Sequence, residues 1–485
     1  MAGIGFELRK LTEHNTLTTV PATGGHAAVS AIGPWLVAIL ALASIGIATG
    51  HLIGADRSAG SRVVIVYAFA ISLVFAAPAM LIATRLVVDS LWLKRLAAVR
   101  PLLLAALATV FVATGAGSLV PIAVFRPAPD IAITLAGASM LAGLVWVVLA
   151  FCGAVRDYAG VALSLLLGVI VSAAGAMAAA VYGGGPMAVA WGVLIGLSVT
   201  FFGLASRVLV AFPHVADDPR DGLHTLASGF AEHWRLALGA FAGAIGIWID
   251  KWLLWFSDRG EVLEIGLRHA PLYDGAMLIA MLGIIPALAA FIARLETDVL
   301  GCYWRYIATI AGHGTYRQIE DARAHMHTRT LENLALMIVA QVGISAIVLL
   351  LAPVLIEVLG FQARQILVLR YGALGALFHV IFMACSFVLL VFDRQRSFLW
   401  LQVLFVTAMA GATYASLQLR AEYQGAGYLA ACMLAALASY RLANRTLAKL
   451  NYLTFIGNNQ PVAASPRIGP ETDNQSMQVE RRLQR

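Results

Sequence analysis

Apolar residues run through this chain in long unbroken blocks. Twelve blocks are long enough to cross a bilayer as helix, near 29–53, 63–88, 101–124, 131–153, 159–182, 186–212, 236–257, 272–294, 332–358, 366–392, 397–418 and 426–446. About 20 residues rising 1.5 Å each suffice to span the hydrocarbon. The blocks lack two-residue alternation and exceed the length of a tilted strand, which excludes a closed β-barrel. The expected fold is an all-α polytopic membrane protein. The first block starts behind a polar arm and reads as a retained span, not a cleaved signal. Two connectors are longer than the rest. One, 213–235, carries Asp217 and Asp218; the other, 295–331, contains a helix-like run from Thr315 to Arg323. Either is a solvated connector or a docking surface for a cytosolic partner.

Composition agrees with the blocks. Of 485 residues 60% are hydrophobic and 12% charged, where a soluble chain would carry about 25%. Most of the 33 lysines and arginines fall on one side of the blocks if both termini are cytoplasmic, so the positive-inside rule predicts that topology. The net charge of +7 then reflects cytoplasmic loops, not a nucleic-acid partner. Cys152, Cys302, Cys385 and Cys432 are scattered and form no CxxC, so neither zinc nor a disulfide framework is expected. His313, His325 and His327 lack the spacing and the carboxylate of a metal site. No phosphate loop, nucleophile elbow or metalloprotease motif occurs; the chain reads as a transporter without cofactor, not an enzyme. The polar tail after Gly457 is expected to be disordered.

The chain also resembles itself. Ala31-Ile32-Gly33-Pro34-Trp35 is echoed by Ala244-Ile245-Gly246-Ile247-Trp248. Pro78 and Ala79 precede Arg85-Leu86-Val87-Val88-Asp89; Pro286 and Ala287 precede Arg294-Leu295-Glu296-Thr297-Asp298. The matches keep their order at an offset of about 208–213 residues. An even number of spans separates the copies, so this is a parallel repeat about an axis along the membrane normal. It predicts two six-helix bundles around a central cavity. The expected parts are a cytoplasmic arm 1–28, a bundle 29–212, a linker 213–235, a bundle 236–446 holding the loop 295–331, and a tail 447–485. Pro78, Pro286 and Pro353 should kink their helices, with static packing favoured over a hinge. Arg85 with Asp89, and Arg294 with Asp298 across Glu296, lie four residues apart at the cytoplasmic ends. They are loop anchors or halves of an inner gate.

The seventh block is unlike the others because Asp250 and Lys251 sit inside it, where each charge costs roughly 2.5–3.5 kcal/mol on insertion scales. Asp250 would lie roughly 9 Å from the outer end. On a helical projection Trp248, Trp252 and Trp255 share one face and Asp250 lies opposite, with Lys251 nearer the tryptophans. The tryptophans read as an interfacial belt beside which Lys251 snorkels. Asp250 then points into the bundle, to line or gate a pathway. In Pro271-Leu272-Tyr273-Asp274, at similar depth, Asp274 is the expected partner of Lys251, and Tyr273 joins the candidate site. The first half has Val37 and Ala38 at the corresponding places, so the charges belong to one copy only.

Several of these segments resemble the PelG family of exopolysaccharide transporters. They are the opening Met1-Ala2-Gly3-Ile4-Gly5-Phe6-Glu7-Leu8-Arg9-Lys10-Leu11, Gly33-Pro34-Trp35, Trp248-Ile249-Asp250-Lys251-Trp252, Pro271-Leu272-Tyr273-Asp274 and Leu295-Glu296-Thr297-Asp298. Leu369-Arg370-Tyr371-Gly372 with Phe378-His379, and Leu450-Asn451-Tyr452-Leu453-Thr454-Phe455-Ile456, complete the set. The likeness covers 1–457 and departs over Leu223–Arg235 and in the tail. It implies the flippase superfamily of multidrug, lipid-linked oligosaccharide and polysaccharide exporters (MOP). It implies transport of Pel, a partly deacetylated cationic amino-sugar polymer, across the inner membrane of a Gram-negative bacterium without a lipid carrier. The implied partners are a cytosolic UDP-sugar glycosyltransferase and two membrane proteins, one a cyclic-di-GMP receptor. From the residues alone two alternatives stay open, a cation-coupled antiporter of similar architecture and a scaffold that holds a synthase and transports nothing.

Overall fold

The computed structural model describes residues 55–155, 157–213 and 220–457. The arm 1–28, the first expected span and the tail beyond 457 lie outside the described residues. Ten long helices and one split helix carry the remaining spans. They are α1 (Ala55–Trp92), α2 (Val99–Phe125), α3 (Pro129–Cys152), α4 (Tyr158–Val181), α5 (Pro186–Ala211), α7 (Trp234–Trp255), the pair α8 (Pro271–Leu282) and α9 (Ile284–Arg294), α11 (Tyr316–Val358), α12 (Gln365–Val391), α13 (Gln395–Ser416) and α14 (Gly425–Ala448). Eleven segments of the described residues are long and apolar enough to span, each overlapping an expected block.

Both longer connectors are helical. The linker 213–235 holds α6 (Arg220–Glu232), which is amphipathic and rests Leu226 and Gly229 on α1 and α2. The loop 295–331 is a π-turn at Leu295–Val299, then α10 (Leu300–Ala311), then the first turns of α11. Thr315 caps α11 with a reciprocal capping box to Gln318, so the helix starts well before its apolar part and runs on as one rod of 43 residues. The loop between α7 and α8 carries a short hairpin, β1 (Glu261–Val262) and β2 (Arg268–His269), paired Glu261 with His269.

The prolines differ in effect. Pro78 and Pro353 sit within continuous helices. Pro286 does not, because the span containing it breaks between Leu282 and Ile284, at Gly283. A proline withdraws the bond to the carbonyl four residues back, and a glycine at that point carries no side chain to stiffen the turn. The break therefore belongs to the second copy alone.

Packing confirms the repeat more directly than the residues do. In the first half α1 packs on α3, α2 on α3, α3 on α5 and α4 on α5. In the second half α8 packs on α12, α11 on α12, α12 on α14 and α13 on α14. These are the same four pairings in the same order. The halves meet where α1 crosses α7. Close contact joins α4 and α5, where backbones touch through glycine. A Cβ at Gly192 would fall 2.4 Å from the backbone nitrogen of Ala176. Hydrocarbon offers no hydrophobic drive between helices, so such close van der Waals approach is what joins them.

Gly192→Leu should therefore part α4 from α5. Overpacking of this kind costs about 1–3 kcal/mol. A lower melting temperature of the detergent-purified protein is the expected result, and an unchanged one would show that the two backbones do not depend on this approach.

Candidate functional site

Helix α7 has two working faces. Trp248 and Trp252 pack with Val74 and Ala77 of α1. Trp255 is buried and stacks on Tyr67 of α1, ring centres 4.6 Å apart. The tryptophan stripe is thus the seam between the halves and not an interfacial belt. The opposite face begins as glycine. Gly239, Gly243 and Gly246 lie under Phe398, Gln402 and Phe405 of α13, too close to admit a Cβ without movement. Asp250 follows at the same helical spacing and continues that face. It looks into the core of the second half.

There the carboxylate is completely enclosed, with 0% exposure, and Lys251 beside it is 8% exposed. Lys251 Nζ donates to Asp250 Oδ1 at 3.0 Å, to Oδ2 at 2.9 Å and to the Ile247 carbonyl at 3.1 Å. Its ammonium also lies 5.8 Å from the Trp248 ring centre. The Tyr273 hydroxyl donates to Asp250 Oδ2 at 2.8 Å. The long lysine stem lets an ammonium one residue away fold back along its own helix. Lys251 does not snorkel, and both charges stay inside. Around them His379 of α12 binds the Tyr428 hydroxyl of α14 at 2.8 Å, and Phe405 stacks on Phe382 at 4.4 Å. The Nε2 of His379 and the Nε1 of Trp248 are buried and have no hydrogen-bond partner among the described residues.

Asp274 does not receive Lys251. It accepts Trp255 Nε1 at 2.9 Å and the Ala270 backbone N–H at 3.0 Å. The physical reason is distance along the helix. Asp274 sits in the first turn of α8, level with the outer end of α7, one turn beyond Lys251, whose head turns back towards Ile247. There the backbone N–H of Ala270, just ahead of α8, and the indole satisfy the carboxylate, beside the positive end of the helix dipole. Tyr67 closes the group by donating to the Arg268 carbonyl at 2.9 Å, so hairpin, α1, α7 and α8 join at this end.

The opposite end of the seam holds the other candidates. Arg85 pairs with Asp89 at 3.2 Å, as the spacing predicts, and also with Asp393 at 3.4 Å. Asp393 lies between α12 and α13, so Arg85 links the halves. Trp92 of α1 stacks on Trp304 of α10, centres 5.4 Å apart and nearly parallel. Tyr303 stands edge-on to Phe392, and burial raises the pKa of its hydroxyl. In the second copy Arg294 and Asp298 are both exposed, flanking the π-turn. The side chain of Glu296 is outside the described residues. All four cysteines are buried and free, and among the described residues no group of histidine, cysteine and acidic side chains could hold a metal ion.

Sequence reasoning missed Tyr67, His379 as a polar neighbour of the pair, Tyr428 and Asp393. The glycine stripe ending in Asp250 was the signal for His379 and Tyr428, since it marks the face that meets α12 to α14; Tyr67 lies across the opposite, tryptophan face. Asp393 carries a left-handed backbone, φ 52°, but nothing local points to Arg85.

Two variants test this arrangement. Exchanging the charges, Lys251→Asp with Asp274→Lys, should fail to rescue the single variants, because the two groups are not partners; recovered thermal stability in the double variant would contradict the geometry. Tyr273→Phe removes a hydrogen bond to a buried charge, worth about 1.5–3 kcal/mol, and should lower the melting temperature without abolishing the fold.

With this geometry in place, comparison with known proteins becomes informative. The chain is similar in fold to an inward-facing multidrug resistance MATE family transporter of the MOP superfamily, TM-score 0.61 at 15% identity, covering 88% of this chain and 99% of that one. An outward-facing structure of such a transporter matches with TM-score 0.59 at 18% identity, covering 88% and 96%. So does a MOP superfamily transporter from Pyrococcus furiosus, described as having a binding pocket of reversed polarity, with TM-score 0.56 at 16% identity, covering 88% and 96%. At such identities the likeness concerns the fold. No curated protein matches the sequence. The family model PelG, "Putative exopolysaccharide Exporter (EPS-E)", matches residues 1–455. This multi-pass membrane protein belongs to the PelG family.

Proposed function

We propose that the chain carries the cationic amino-sugar polymer Pel across the bacterial inner membrane, with both termini and the Arg85 end cytoplasmic. It acts as the membrane component of a synthase complex, fed by a cytosolic UDP-sugar glycosyltransferase and held with two further membrane proteins, one a cyclic-di-GMP receptor. The bodies that move are the halves 29–212 and 236–446. The observation that carries this reading is how the halves meet. Each end of the α1–α7 seam is held by a few separable contacts, Tyr67 with Trp255 and Arg268 outside, Arg85 with Asp393 and Trp92 with Trp304 inside. The Arg85 pairs are more than a third exposed, and contacts of that kind are each worth about 0.2–1 kcal/mol. The inner ion pairs therefore part at little cost. Similarity to transporters in both inward-facing and outward-facing conformations supports a seam that opens at alternate ends.

Asp250, Lys251 and Tyr273 act one layer behind that wall. The bond from Tyr273 to Asp250 ties α7, whose other face forms the seam, to α8, and Lys251 balances the carboxylate, so movement at the seam is felt by both helices. The part of these three residues is gating. The inner candidates Arg85 and Asp89, with Arg294, Glu296 and Asp298, belong to the inner closure. The helices α10 and α11, which together replace a loose loop, offer the polymerase a rigid face. A cation-coupled antiporter is the second reading, favoured by one fact, the carboxylate buried inside the second half.

The test is secretion of the polymer by cells carrying Asp250→Asn with Lys251→Gln. This double change keeps the core neutral and avoids leaving one charge stranded, which alone costs about 3–5 kcal/mol. Assembly of the complex is measured in parallel. Secretion should fall at least tenfold with assembly intact. Normal secretion would remove the pair from the mechanism, and loss of assembly with normal folding would favour a scaffold.

A further inference from the structure

The surroundings of the Lys251 ammonium are those of a bound cation. Three oxygen atoms from one helix face it, two from the Asp250 carboxylate and one from the Ile247 carbonyl, at 2.9–3.1 Å. The ring of Trp248 offers its π-face at 5.8 Å. Among the described residues, the groups that bind the charge are oxygen acceptors and an aromatic face. An ammonium and a bare monovalent ion of similar size would be satisfied by the same set. The distances are too long for magnesium, which demands about 2.0–2.1 Å.

The lysine itself adds nothing structural that its charge does not. A lysine that joined two elements would reach across a gap, whereas this one folds back on its own helix, and among the described residues its hydrogen bonds go to α7 alone. The link from α7 to α8 is made by the Tyr273 hydroxyl and the carboxylate, without the ammonium. What Lys251 supplies is one positive charge beside a fully enclosed carboxylate.

We propose that Lys251 is a tethered cation. Its ammonium permanently fills a monovalent-cation site built by Asp250 and the Ile247 carbonyl. The second half is therefore loaded at all times, and no ion from solution enters or leaves this site during a transport cycle. The consequence for export rests on the exporter reading; the site itself does not. The cation-coupled alternative loses its binding site to a residue of the chain.

The site becomes vacant in Lys251→Ala. Melting temperatures of the purified full chain are compared in potassium chloride, methylammonium chloride and the chloride of N-methylglucamine, a cation too large to enter. The wild type should melt at the same temperature in all three. Lys251→Ala should melt lower in N-methylglucamine and recover by about 2–5 °C in potassium or methylammonium at tenfold its dissociation constant. Asp250→Asn with Lys251→Ala should lose that recovery. A wild type that responds to potassium as strongly as the variant overturns the proposal, because the site would then not be filled. So does a folded Lys251→Ala that responds to neither small cation. If Lys251→Ala does not fold, the double variant decides. Folding of the double variant assigns the defect to the unanswered carboxylate and supports the proposal, and its failure assigns the defect to lost packing and overturns it. None of these readings depends on what the chain exports, so they stand apart from the secretion test.

Discussion

An ionised carboxylate cannot remain alone in hydrocarbon, and much of the second half follows from that constraint. Bringing Asp250 out of water costs several kcal/mol even after relaxation, and only a close opposite charge with its remaining lone pairs satisfied returns it. The chain answers with the very next residue. Adjacent positions on a helix point about 100° apart, so most side chains there cannot meet. Lysine can, because its stem is long enough to curl back. The ammonium binds both carboxylate oxygens, and Oδ2 also accepts from Tyr273, a bond that draws the start of α8 against α7. Asp274, one residue on, then falls beside Trp255 and the Ala270 backbone N–H. Trp255 is in turn held flat on Tyr67 of the first half. A local electrostatic requirement thus reaches the seam in three contacts.

The seam itself is built differently from the cores on either side. Within each half helices approach through small residues, closely enough at Gly192 that no side chain fits. Between the halves the contact is large aromatic rings laid on aliphatic side chains, with ion pairs and stacked indoles at the ends. Rings and long charged side chains tolerate displacement by a few tenths of an ångström. Backbone-to-backbone contacts do not. The division between what holds and what can part is therefore written in side-chain size.

Eleven spans were legible because each is a predominantly apolar block about 20 or more residues long, and the bilayer leaves the backbone no alternative to helix. The repeat was legible at its prolines and charges, though only the packing shows that four helix pairings recur. The site was legible in part. Asp250, Lys251, Tyr273 and Asp274 do come together, but Lys251 and Asp274 are not partners. A spacing rule fixes which face a residue occupies and not where a flexible stem puts its head. The tryptophan stripe was misread as a lipid belt. Tryptophan suits a wet interface and a helix seam equally, and what distinguishes them is whether another helix stands opposite. The glycines at 239, 243 and 246 carried that information for the other face, since a helix bare on one side there is expected to be covered. Asp393 was not legible, because its bond to Arg85 joins positions far apart in sequence that only the tertiary fold brings near.

The asymmetry of the repeat has a physical consequence. With an offset of about 208 residues, Tyr273 and Asp274 correspond to Ile65 and Val66 of the first half. Not only the charged pair but its hydrogen-bonding neighbours are confined to one copy, and so is the helix break at Gly283. These features sit on two successive spans, α7 and the α8–α9 pair. A helix broken in mid-membrane gives up a backbone bond and bends more easily than its intact counterpart α1. A polar clamp at its outer end, Tyr273 on Asp250 and Asp274 on Trp255, fixes α8 to α7, while α9 beyond Gly283 is packed into a separate core with α11 and α12. The break thus divides one span between two packed clusters, where the first half keeps its counterpart α1 as a single helix.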